Sequence, residues 1–134
     1  MYCSHCGLSP RTRFRGNVLA LALSVFFVAG PAFAHHSYSM FDGTKKLTLQ
    51  GTVKEVQWTN PHCFIQLVVS KNGSTQEWSL QMNAPVDLYR SGWRPRTLKA
   101  GEKVSMVIHP ARDGRNYGSY VSGTRSDGQE LPHG

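Results

Sequence analysis

Cysteine is scarce in this chain, three in 134 residues, which is too few for a disulfide-built scaffold. Acidic residues are also few, 8 Asp+Glu against 15 Lys+Arg, for a formal net charge of +7. Such a balance ordinarily raises nucleic acid or an anionic surface as partner. A membrane-spanning helix needs about 20 apolar residues; the uncharged stretch Val18–Ala34 has 17, with Pro31 near its end. There is no G-x-S-x-G nucleophile elbow and no Gly-rich phosphate loop. Asp42, Asp87 and Asp113 fall in turns or a short helix without a paired-carboxylate arrangement. With no assembled catalytic site to read, the chain is expected to be a binding protein rather than an enzyme. What is present, 40% hydrophobic and 17% charged residues, argues for one folded domain rather than disorder.

The totals describe a precursor. Residues 1–17 carry Arg11, Arg13 and Arg15 and no acidic residue; Val18–Gly30 is a 13-residue apolar run, followed by Ala32-Phe33-Ala34. A positive segment, a short apolar core and an A-x-A site make a secretory signal peptide. Thr12 separates Arg11 from Arg13, so the general secretory route is expected over a twin-arginine one. Residues 1–34 are therefore read as a signal peptide and the working chain as His35–Gly134, 100 residues, periplasmic or secreted, with no transmembrane segment left. Losing three arginines takes the charge from +7 to +4. The Cys3-x-x-Cys6 pair goes too, leaving Cys63 alone. Export also places the protein away from most nucleic acid, so nucleic-acid binding is not expected.

The remaining chain alternates like a small all-β protein. Strands are expected over Lys46–Trp58, His62–Ser70, Thr75–Met82, Lys103–His109 and Tyr117–Thr124. Gly51 suggests a bulge or bend, Asn60-Pro61 a break, and Asn72-Gly73 a hairpin turn. Asn83 as N-cap, Pro85 in the first turn and Gly92 past the end mark one short helix, about Ala84–Ser91. Five strands with a helix between the third and fourth is the order of an OB-fold, a partly open Greek-key barrel. The expected organisation is an N-terminal histidine-containing arm at 35–45, an OB-like barrel at 46–126 and a flexible tail at 127–134.

Alternation sorts the ligand candidates. Cys63, Ile65, Leu67 and Val69 share an apolar face and read as core; so do Val104, Met106 and Ile108, and Trp78, Leu80 and Met82. His62 and His109 are left outside at strand ends. The most specific feature is the new terminus. A free N-terminal His35 offers its α-amine and ring Nδ1 to one metal, and an α-amine with a pKa near 8 deprotonates at modest cost. Amine and imidazole nitrogens favour Cu(II) among divalent metals. His36, His62 or His109 would supply a third nitrogen. Cleavage one residue earlier would instead give Ala34-His35-His36, an amino-terminal copper and nickel chelate pattern, but it leaves Phe33 before the cut. His133, in the tail, is read as unrelated.

The start His35-His36-Ser37-Tyr38 with Met40-Phe41-Asp42, then Gly51-Thr52-Val53, Trp58-Thr59-Asn60-Pro61-His62 and Gly92-Trp93, resembles a family of small secreted bacterial proteins of unknown function. Members typically read His-His-Ser at the mature start and Trp-x-Asn-Pro-His before the second strand. The resemblance implies export and the small barrel, and it makes His35, His36, Asn60 and His62 natural site candidates. Members usually carry an aromatic or aliphatic residue at the place of Cys63, which agrees with a core role. Two functions follow as expectations. One is copper or other transition-metal binding through the terminal histidine. The alternative is an OB-like module for an anionic glycan, peptide or envelope partner, with Trp58, Phe64, Trp93, Tyr117 and Tyr120 as its aromatic surface and Arg90, Arg94, Arg96 and Lys99 as its positive charge.

Overall fold

Strict apolar alternation builds the walls of a closed barrel. In the computed structural model, which describes residues 38–134, the elements are β1 (Leu47–Gln57), β2 (Phe64–Lys71), β3 (Ser74–Gln81), α1 (Pro85–Arg90), β4 (Lys103–Pro110) and β5 (Tyr117–Arg125). The strands close in the order β1-β2-β3-β5-β4, and β4 returns to β1. Every pairing is antiparallel except β3 with β5. This is the OB-like barrel expected from the element order. Strand and helix bounds fall within two residues of the expected ones.

The inward faces are those that alternation selects. Cys63, Ile65, Leu67 and Val69 are buried, as are Leu80, Met82, Val104, Met106 and Ile108. Both methionines are therefore core residues, and burial pushes the Cys63 thiol pKa up. At the β2–β3 turn Asn72 and Gly73 have φ of 51° and 78°, the pair of positive values a type I′ hairpin needs.

Gly51 is not where β1 bulges. The register with β2 slips between Val53 and Glu55. Gly51 instead allows close approach: a Cβ there would lie 2.5 Å from the Val68 carbonyl oxygen. β1 pairs with β4 through Leu47–Thr52 and with β2 from Thr52 onward, so Gly51 sits where one strand passes from one partner to the other.

Helix α1 plugs the barrel with Leu88. Its N-cap is Ala84, with no side-chain cap bond; Asn83, expected in that role, turns its side chain elsewhere. Gly92, at φ 97°, ends the helix as expected. Its N–H donates to the Tyr89 carbonyl, and Trp93 N–H donates to that of Leu88 at 2.9 Å, the double bond pattern of a Schellman end. Trp93 thereby swings into the core beside Leu88 and Leu98.

Residues 127–134, expected to trail as a loose tail, fold back along β5. Leu131 is buried in the main core, and its N–H donates to the Gly123 carbonyl at 2.8 Å. The apolar Leu131 supplies the reason: an exposed leucine there would forgo burial that the groove beside β5 provides. Among the described residues, no helix is long and apolar enough to cross a membrane.

Candidate functional site

The outward residue at the end of β4 is His109, as alternation places it. Its Nδ1 lies 2.7 Å from the carbonyl oxygen of Lys45. A carbonyl can only accept, so Nδ1 carries the proton, and in the neutral ring Nε2 keeps its lone pair. A backbone carbonyl fixing one ring nitrogen is the arrangement that orients histidine for a metal through the other.

The carbonyl is held in turn by the arm. Asp42 N–H donates to the Pro110 carbonyl, and Arg112 N–H to that of Met40, both at 2.9 Å. Phe41 bridges to Ala111 and its ring lies 5.2 Å from that of Tyr117. The Asp42 carboxylate closes the turn by accepting from the Thr44 hydroxyl at 2.7 Å and pairing with Lys45 Nζ at 3.2 Å. The Thr44 hydrogen bond, then that of Lys45, lowers the Asp42 pKa to about 2. The arm thus extends the sheet past β4 and carries Lys45 to His109.

A concavity of about 360 Å³ opens beside this corner, lined by Tyr38, Asn83, His109, Ser119 and His133 among others. The Tyr38 hydroxyl donates to Asn83 Oδ1, which is the use the structure finds for the side chain expected to cap α1. The Asn83 carbonyl accepts from Cys63 N–H at 3.2 Å. The loop carrying His62 therefore adjoins the Asn83 side of the same corner. His62 is half-buried rather than outside, and the Thr59 hydroxyl donates to its carbonyl. His133, set aside on sequence, lines the cavity; its carbonyl accepts from Trp93 Nε1 at 3.1 Å. That tie spans 40 residues, and no local pattern signals it.

His35 and His36 lie outside the described residues, as do 1–34 and with them the expected signal peptide. Among the described residues, no three His, Cys, Asp or Glu side chains gather to hold a metal. A site built on His109 therefore needs a ligand from elsewhere, and the terminal histidines are the ones the sequence offers.

The residues expected to form an aromatic and basic surface divide. Trp93 is 1% exposed and is structural: its ring meets Tyr120 edge-on at 5.5 Å. Burial removes it from any binding face. Tyr120, also buried, donates its hydroxyl to the Pro132 carbonyl, and desolvation raises its pKa. Trp58 is half-buried against Tyr89, with ring centroids 5.4 Å apart. Arg94 lies over the Tyr89 ring at 5.2 Å and donates to the carbonyls of Tyr89 and Trp93. Arg90 pairs with Asp87 at 3.1 Å; Arg96 and Asn60 are exposed, and the Asn60–Pro61 bond is cis. Sequence reading missed Val86 and Tyr89, which α1 leaves 54% and 45% exposed. Their three-residue spacing around Leu88 could have shown that one side of this helix faces away from the core.

Searches among curated proteins and among solved structures find no match to the chain. A family profile does match, and it spans residues 22–120. That span holds β1 to β4, the first four residues of β5, the arm and His109. The chain belongs to DUF6152, a family of unknown function.

Proposed function

We propose that this is an exported transition-metal-binding protein. In this reading the signal peptide is removed after Ala34. His35 then chelates Cu(II) through its α-amino nitrogen and ring Nδ1. His109 Nε2 is the third nitrogen, and His36 and His62 are the remaining candidates. The observation that carries the reading is His109 itself, with Nδ1 committed to the Lys45 carbonyl and Nε2 left to coordinate.

Reach supports it. His35 lies three Cα steps before Tyr38, about 10 Å when extended, and Tyr38 borders the cavity that His109 lines. Three nitrogens from amine and imidazole suit Cu(II) better than the other common divalent ions. Pinning the arm to β4 also lowers the ordering cost of closing such a site.

The test is Cu(II) titration with electron paramagnetic resonance, on protein with an authentic His35 terminus. A Met-extended form and His109→Ala are expected to bind at least about tenfold more weakly, the scale of losing even an outer partner of a metal site, with altered spectra. Equal affinity and an unchanged spectrum in the extended form would sink the terminal chelate. Unchanged binding in His109→Ala would remove the barrel from the site.

A further inference from the structure

Helix α1 exposes an apolar pair inside a basic segment. Val86 and Tyr89 are among the large hydrophobic side chains left in solvent. They are three apart in the helix, hence neighbours on its surface. Between Pro85 and Gly101 the sequence has Arg90, Arg94, Arg96 and Lys99 against one acid, Asp87. All four cations are exposed. Arg90 and Asp87 pair at 3.1 Å with both side chains largely in solvent, a pairing worth little and readily exchanged for another anion.

We infer that this face docks on an anionic phospholipid bilayer surface. The charge is complementary to lipid phosphates, and the apolar pair explains what charge alone leaves unexplained. An aliphatic side chain beside a tyrosine, with Arg94 over the tyrosine ring and Arg90 next in the helix, matches the boundary between headgroups and acyl chains, where the aromatic edge and hydroxyl sit at headgroup level. A sugar ligand fits less well. Sugar recognition would use an open aromatic face, but Arg94 already covers the Tyr89 ring and Trp58 contacts it at a steep angle. Trp93, the other aromatic of the segment, is buried. This surface shares no named ligand with the His109 cavity, so the inference stands or falls apart from the metal reading.

Co-sedimentation with phosphatidylcholine vesicles, with and without phosphatidylglycerol, tests it. Binding is expected only with phosphatidylglycerol. Raising salt from about 0.1 M to about 1 M should release the protein, because the screening length falls from about 10 Å to about 3 Å. Arg90→Gln with Arg96→Gln should weaken partition about twenty-five-fold, about five-fold for each arginine near an anionic surface. Val86→Ser should weaken it further without changing the salt dependence. These three positions are exposed, so circular dichroism should show an unchanged fold. Failure to bind phosphatidylglycerol vesicles overturns the inference, as does equal binding by the double variant. Binding to heparin in preference to vesicles, lost in the same variant, also overturns it and returns the face to an anionic glycan.

Discussion

Residues 127–134 and residues 38–46 flank the barrel, both polar, both without a strand of their own, and they are fastened in different currencies. The C-terminal segment is wired to the interior. Leu131 belongs to the main core, and two buried aromatics, Trp93 and Tyr120, spend their polar atoms on the carbonyls of His133 and Pro132. A buried indole N–H or phenol needs a partner, and here the returning backbone is that partner. The arm is wired to a strand end. Phe41 and Ala111 are buried, but outside the main cluster, and the other ties include backbone bonds to Pro110 and Arg112, the Asp42 turn, and the bonds from Tyr38 to Asn83 and from His109 to Lys45. One segment completes the core; the other positions a histidine and is expected to open without unfolding the barrel.

The largest expected effect separates them at once. Leu131→Ala should cost about 2–5 kcal/mol of global stability, the range for a buried leucine truncated in a core. Urea unfolding followed by tryptophan fluorescence measures it, since Trp93 lies at the affected end. A loss below about 0.5 kcal/mol, as for an ordinary surface site, would show that the segment is a tail after all.

Phe41→Ala should do the opposite. Its cost to global unfolding should fall below the about 3–5 kcal/mol usual for a buried phenylalanine, because the arm can open as a sub-global unit. Amide exchange should report the change instead: the Asp42 and Arg112 amides, which bond across to Pro110 and Met40, should lose protection while those of β2 keep theirs. Uniform loss of protection across the barrel would make arm and core one cooperative unit. If the metal reading holds, this variant should also bind Cu(II) more weakly, since it frees the carrier of the Lys45 carbonyl.

Which parts of this were legible beforehand follows the range of the physics. The β2 alternation from Cys63 to Val69, the Asn72-Gly73 turn and the Gly92 helix end depend on neighbours within a few residues, and each reads directly. So does His109 as an outward residue at a strand end. The bond from His109 to Lys45 joins residues 64 apart, and that from Trp93 to His133 joins residues 40 apart; no local periodicity encodes either. Trp93 reads as a surface residue because tryptophan in a basic segment looks like a binding residue. The Schellman turn that buries it was visible only as a glycine. Gly51 is ambiguous in the same way: a glycine within a strand signals a bulge, a bend or a close approach, and only the position of Val68 shows the close approach.

The smallest effect concerns pH, and it belongs to the arm alone. The Thr44 hydroxyl, then Lys45, hold the folded Asp42 pKa at about 2 against 3.8 for the free side chain. A depressed folded pKa means the contribution is complete above the unfolded value and is lost as pH falls through the folded one. The turn should therefore hold at neutral pH and weaken between about pH 4 and pH 2. The Asp42 carboxyl carbon, followed by nuclear magnetic resonance, should titrate near pH 2, and a midpoint near 3.8 would mean that the turn does not form. The Lys45 carbonyl sits in this turn, so the His109 ring should lose its fixed orientation over the same interval. Asp42→Asn should remove that pH dependence from the arm and leave the exchange of Leu131, held by apolar burial and the Gly123 carbonyl, as it was.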